Sequence, residues 1–85
     1  MQAEERVGMA LSKNDLREID AILVGYLKEG RVTPVYARDR VIDEGRRKEI
    51  TSTYISQRLQ RLTEHGHTRN LYDDGLYELV SEPED

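Results

Sequence analysis

The stretch TSTYISQRLQRL, residues 51–62, joins a thin apolar seam to hydroxyl, amide and guanidinium side chains. The seam consists of Ile55, Leu59 and Leu62, which recur at the three- and four-residue spacing of one helix face. This pattern predicts an amphipathic helix that runs to about His65 and packs on the rest of the protein through the seam. Because its other faces are polar, the helix either meets a partner with them or leaves them in water.

Hydroxyl caps and glycines mark the expected helix boundaries. Ser12 and Asp15 have the spacing of a capping box, and Gly30 suits a left-handed helix end. A first helix should therefore cover about residues 13–29. Pro34 fits the first position of a second helix because it has no N–H to satisfy. The expected cap and stop are Thr33 and Gly45 for the second helix, and Thr51 and Gly66 for the third.

The apolar core has to be built without Phe or Trp. Tyrosines are therefore expected to supply most of the aromatic core, namely Tyr26, Tyr36, Tyr72 and Tyr77. The expected buried face of the second helix consists of Val35, Tyr36, Val41 and Ile42.

Two short β-prone runs, HTRNLY and LYELV, follow the third helix and are joined by DDG, residues 73–75. A glycine-containing connection of this length predicts a hairpin. Three helices and a hairpin predict an α+β fold, the winged helix-turn-helix, with helices two and three as the helix-turn-helix and the hairpin as the wing. We expect this domain to cover residues 12–81, between an N-terminal tail, residues 1–11, and an acidic C-terminal tail, residues 82–85.

Composition argues against several classes of function. The chain has 85 residues, enough for one small domain, and no Cys for a disulfide or a Cys-ligated zinc site. It has no apolar run of membrane-spanning length and no signal-peptide pattern, so a cytoplasmic protein is expected. His65 and His67 are too few for a closed metal site, and no nucleophile, base and acid set is convincing. We therefore expect no enzyme, no cofactor and no small-molecule ligand.

Charge is unevenly distributed along the chain. The net charge is −4, yet residues 31–69 hold nine basic against five acidic side chains, and residues 51–63 hold no acidic one. A basic centre between acidic ends indicates a face for a polyanion. On a helical wheel the polar side chains of the third helix lie on its flank and far side, where they match the base edges and phosphates of duplex DNA. The predicted DNA-contacting set is Ser52, Thr53, Tyr54, Gln57, Arg58 and Arg61.

The run over residues 50–66, followed by GLYEL at residues 75–79, resembles the small winged-helix transcriptional regulators of halophilic archaea and their viruses, the phage-repressor-like group. Its most specific part is Tyr-Ile-x-x-Arg-Leu-x-x-Leu-x-x-x-Gly with the later Gly-Leu-Tyr, and the similarity covers about residues 15–80. The resemblance implies a winged helix-turn-helix that binds duplex DNA, usually as a repressor and often as a dimer, with Arg69 on the wing.

Two features depart from that group. The connector over residues 43–49 is longer than the tight turn usual between the two helices. Asp73 and Asp74 put carboxylates at the wing tip, where they repel phosphate. Connector cations are expected to supply the missing backbone-binding charge, namely Arg46, Arg47 and Lys48.

The polar helix is open to other interpretations. It could be an ordinary amphipathic helix whose polar face is only hydrated. The scaffold could also bind a protein and no DNA, which the acidic wing tip favours, because fold does not fix function. The absence of acidic side chains in the third helix favours DNA. The prediction is a sequence-specific regulator that binds duplex DNA as a homodimer, because one small helix reads few base pairs.

Overall fold

A computed structural model describes residues 10–84, which form three helices followed by a two-stranded antiparallel hairpin. The predicted α+β layout of a winged helix-turn-helix is confirmed. A 3₁₀ turn, Lys13–Asp15, precedes the first helix, and no helix within the described range is long and apolar enough to cross a bilayer. The elements are α1 (Glu18–Glu29), α2 (Pro34–Asp43), α3 (Ser52–Glu64), β1 (Thr68–Leu71) and β2 (Leu76–Leu79).

The first helix begins at Glu18, later than the sequence predicts. The Asp15 carboxylate accepts hydrogen bonds from the backbone N–H and the hydroxyl of Ser12, both at 3.1 Å, but this box closes only the 3₁₀ turn. The backbone is extended again at Arg17, whose N–H donates to Asp20 at 2.9 Å. Asp15 lies three residues after Ser12 and Asp20 lies three residues after Arg17, so both acids have the spacing of a capping box. This spacing alone does not show at which of the two positions the first helix begins.

The helix boundaries predicted from caps and glycines hold at α2 and α3. The hydroxyls of Thr33 and Thr51 each accept a backbone N–H of the first helical turn at 3.0 Å. Gly45 and Gly66 follow the helices in the left-handed region, at φ values of 74° and 83°. Gly30 also ends its helix, but its φ of 164° is extended, so the predicted left-handed end of α1 is wrong.

The core lies between the three helices and the hairpin. The α3 seam is buried as predicted, with Ile55 and Leu59 at 0% exposure and Leu62 at 1%. Val32, between α1 and α2, exchanges two backbone hydrogen bonds with Tyr77 of β2, at 2.9 and 2.8 Å. This bridge ties the hairpin to the start of α2, so the wing and the helix-turn-helix form one packed unit.

Four side chains predicted to be buried are instead exposed, namely Val35, Tyr36, Ile42 and Tyr72. α2 contacts the core only through Ala37 and Val41, whose four-residue spacing gives one narrow strip. The exposed α2 side chains lie on its other sides. Tyr72 belongs to the hairpin turn, where it has a φ of 54° and is 93% exposed. The other two predicted core tyrosines, Tyr26 and Tyr77, are buried.

Both ends of the described chain pack on His67, which is 1% exposed. Its Nε2 accepts the N–H of Leu11 at 2.8 Å, which leaves Nδ1 to donate to the carbonyl of Ser81, also at 2.8 Å. The Glu84 carbonyl accepts a backbone N–H from the 3₁₀ turn at 3.0 Å, so the described part of the predicted C-terminal tail is hydrogen-bonded to the domain. The rest of the predicted tails, residues 1–9 and 85, lies outside the described chain.

Candidate nucleic-acid interface

α3 presents an exposed strip that carries no charge along most of its length. Thr53, Gln57 and Gln60 are exposed on the side opposite the buried seam. Glu64, in the last position of α3, is the first acidic side chain on this strip. Three further side chains predicted to contact DNA are partly buried on the flanks, namely Ser52, Tyr54 and Arg61.

Gln60 is absent from the predicted set, although it lies near the centre of the exposed strip. At 100° per residue it is about 20° from Thr53 and about 60° from Gln57 around the helix axis. A helical wheel is sufficient to identify Gln60, because it shows from the sequence which positions lie opposite the buried seam. Gln60 therefore joins the residues that a ligand on this face would meet.

Arg58 points towards α1 and is bound by a buried carboxylate. Its Nε donates to Oδ1 of Asp20 at 2.8 Å and its terminal nitrogen to Oδ2 at 2.6 Å. The side chains are 12% and 2% exposed, and these hydrogen bonds hold the pKa of Arg58 above its usual range. This bidentate pairing makes Arg58 a structural link between α3 and α1. Sequence patterns do not reveal this pair, because its two residues are 38 positions apart.

Asp20 is the centre of a small network that fixes one flank of α3. Besides Arg58, its Oδ2 accepts the backbone N–H of Arg17 at the start of α1. The Arg17 side chain in turn donates to the hydroxyl of Tyr54 at 3.4 Å. Two α3 side chains predicted to contact DNA are thus held by the N-terminal end of α1, and the network orients α3 on the domain.

Glu44, at the C-terminal end of α2, anchors the start of the α2–α3 connector. It accepts hydrogen bonds from the hydroxyl of Tyr26 and the guanidinium of Arg40, both at 2.7 Å, and pairs with Arg46 at 2.9 Å. Arg40 is the main cause of the lowered Glu44 pKa, while burial and the Glu44 contact raise the Tyr26 pKa to about 12. The Arg46 guanidinium is therefore partly occupied before any phosphate approaches.

Three predicted contact residues have cationic groups with no acidic partner in residues 10–84. Arg47 and Lys48 lie in the connector just before α3, and Arg61 lies on the flank of α3. Arg69 differs, because it pairs with Glu78 across the hairpin at 2.9 Å and lowers the pKa of that carboxyl. Positive charge that is free to meet a polyanion therefore borders the exposed strip of α3.

The wing tip is acidic and conformationally strained. Tyr72 and Asp73 both have positive φ, at 54° and 57°, although neither is glycine. Asp73 and Asp74 are exposed, and the side chain of Asn70 accepts the Gly75 N–H at 2.7 Å to close the turn. An exposed pair of carboxylates repels phosphate, so the tip is unsuited to contact a DNA backbone.

Residues 10–84 contain an open groove but no cluster of side chains that could hold a metal ion. An open groove of about 360 Å³ lies between α1 and the chain ends, lined by residues that include Leu16, Val24 and Lys28. Across residues 10–84, no group of three or more His, Asp or Glu side chains could hold a metal ion. Comparison with protein-family models, curated proteins and solved structures finds no match to the chain.

Proposed function

We propose that this protein is a sequence-specific regulator of transcription that binds duplex DNA in the cytoplasm. α3 enters the major groove, and the resemblance to the phage-repressor-like group favours a homodimeric repressor. The observation that carries the proposal is the exposed strip of α3, which holds hydrogen-bonding side chains and no acid before its last residue. Such a surface suits base edges lying between two phosphate backbones.

The cations that border this strip support the proposal. Arg47 and Lys48 precede the N-terminus of α3, and in helix-turn-helix docking that end lies deepest in the groove. Arg61 lies on the same helix, about 13 Å further along its axis from Ser52. Cations at both ends of a neutral strip are suited to neutralise phosphates while the strip meets the bases.

The salt dependence of binding tests the proposal. If Arg47, Lys48 and Arg61 each neutralise one phosphate, log K should fall with log salt at a slope of about −2.7 per protomer. Fluorescence anisotropy with a random duplex between about 50 and 200 mM salt measures this slope. Lys48→Ala and Arg61→Ala should each reduce its magnitude by about one.

Lys28→Ala is the matched control, because Lys28 lies on α1 and pairs with Glu82. It should leave the slope unchanged. The proposal is wrong if no duplex binds at low salt. It is also wrong if binding is indifferent to salt or if the Lys28 variant is affected as much as the Arg61 variant.

A second candidate function is protein binding without DNA. It is favoured by the apolar side chains that α2 exposes, with Val35 at 51% and Ile42 at 41% exposure, and by the acidic wing tip. This candidate predicts that no duplex is retained even at low salt. Salt-sensitive binding to random duplex would contradict it.

A further inference from the structure

We infer that α3 selects adenine–thymine base pairs and discriminates against guanine. The inference rests on the proposed function, because it takes α3 as the element that lies in the major groove. It comes from two observations: the neutral side chains at the centre of the exposed strip, and the occupation of Arg58 by Asp20.

The exposed strip carries side chains whose chemistry suits adenine and thymine. Gln57 and Gln60 carry terminal amides, each with donors and an acceptor in one plane. This arrangement matches N6 and N7 of adenine, and the methyl group of a threonine such as Thr53 suits the thymine C5-methyl group. All three side chains are exposed and within about 60° of one another around the helix axis. The strip is therefore complementary to adenine–thymine pairs.

Guanine is read most often by Arg or Lys, through hydrogen bonds to O6 and N7. Residues 52–57, the part of α3 that enters a groove first, contain neither. Arg58 is the next candidate, but two hydrogen bonds hold its guanidinium on Asp20. If Arg58 left Asp20 to contact a base, the buried carboxylate would lose its charged partner, which is strongly unfavourable.

Arg61 does not replace Arg58 as a guanine reader. It is partly buried on the flank of α3, beside the exposed strip, and the proposed function assigns its guanidinium to a phosphate. The strip also carries no acid before Glu64 that could accept from cytosine N4. Both bases of a guanine–cytosine pair therefore lack their usual reader in the part of α3 that enters the groove.

The length of the strip sets the size of the element that it reads. Thr53 and Gln60 are separated by about 10 Å along the helix axis, at 1.5 Å per residue. With one base pair per ~3.4 Å, this corresponds to about three consecutive pairs. We expect a core of about three adenine–thymine pairs in each half-site of a dimer.

In-vitro selection of bound duplexes from a random library tests this inference. The expected result is a short adenine–thymine core, where one guanine–cytosine replacement weakens binding on the order of 5- to 150-fold. Gln57→Ala should flatten the preference at a single base pair. Gln57→Arg should move that position towards guanine. Lys48→Ala is the matched control, because it should weaken all duplexes alike and leave the selected sequence unchanged.

Replacing selected adenine–thymine pairs by inosine–cytosine pairs identifies the groove that is read. Such pairs keep the minor-groove pattern of adenine–thymine but present a guanine-like pattern in the major groove. The inference expects binding to fall as far as it does with guanine–cytosine. Retained binding would mean that the preference comes from minor-groove shape, and it would overturn the inference.

The remaining outcomes separate this inference from the proposed function. Salt-sensitive binding with guanine in the enriched core overturns the inference and leaves the proposed function standing. Salt-sensitive binding without sequence enrichment overturns the inference and also the sequence specificity of the proposed function. Absence of binding to every duplex at low salt overturns both. Circular dichroism of each variant establishes that it is folded, as expected for substitutions at exposed positions.

Discussion

Replacing Arg58 by alanine should destabilise the fold more than any other single substitution on the polar side of α3. The substitution leaves the Asp20 carboxylate buried, at 1% exposure, and within residues 10–84 its one remaining hydrogen-bond donor is the Arg17 N–H. Removing one partner of a buried ion pair typically costs about 3–5 kcal/mol. Domains of this size are stable by roughly 5–15 kcal/mol, so a large share of the stability is lost.

The reverse substitution should cost less. In Asp20→Ala the Arg58 side chain is already 12% exposed, and it can turn its guanidinium into water on its long stem. The double variant should be less destabilised than the sum of the two single changes. The difference is the interaction free energy of the pair.

Thermal unfolding followed by circular dichroism measures these effects. For a domain of this length, ~3 kcal/mol corresponds to a midpoint lowered by about 12–24 °C. Arg61→Ala is the matched control, because surface substitutions usually change stability by less than about 0.5 kcal/mol. If Arg58→Ala unfolds within a few degrees of Arg61→Ala, or if the two single changes are additive, the assignment of Arg58 to a structural role is refuted.

Three further perturbations test other parts of the molecule. His67→Ala removes the side-chain partner of the buried Leu11 N–H and of the partly buried Ser81 carbonyl, and it should lower the free energy of unfolding by on the order of 2–3 kcal/mol, measured in urea. Arg40 lowers the pKa values of Glu29 and Glu44. The ion pairs with these carboxylates therefore stabilise the fold above about pH 4.3, and this stabilisation is lost as the pH falls through the folded-state pKa values of the two carboxyls. Unfolding midpoints of Arg40→Gln and the parent protein should therefore differ at pH 7 and converge in acid. Tyr72→Asn should raise stability by about 0.5–1 kcal/mol in urea unfolding, because asparagine tolerates positive φ.

The sequence predicted those features that are determined by neighbouring residues. The start of α3 follows from the Thr51 hydroxyl, and its end follows from Gly66, both of which act on the adjacent backbone. The seam of α3 was found for the same reason, since its side chains are three and four residues apart. Both signals are local, and the structure satisfies them without help from distant parts of the chain.

The features that the sequence predicted wrongly or did not reveal depend on distant partners. Val35 and Ile42 are as apolar as Val41, but of the three only Val41 is buried in the core, and this depends on how the helices pack. Arg58 has the same side chain as Arg61, yet a carboxylate 38 residues away in the sequence pairs with Arg58 and not with Arg61. A helical wheel cannot distinguish these residues, because it contains no information about what packs against each side.

The charge pattern of the sequence indicated a basic centre, and the structure changes which charges contribute to it. Of the nine cations in residues 31–69, six have an acidic partner within 4 Å. The three others are Arg47, Lys48 and Arg61, and all belong to α3 or to the connector before it. An acidic protein can therefore keep a locally basic face, because its carboxylates neutralise cations elsewhere and are absent from α3 until Glu64. The position of the cations without an acidic partner in residues 10–84, more than their number, supports the proposed binding of DNA.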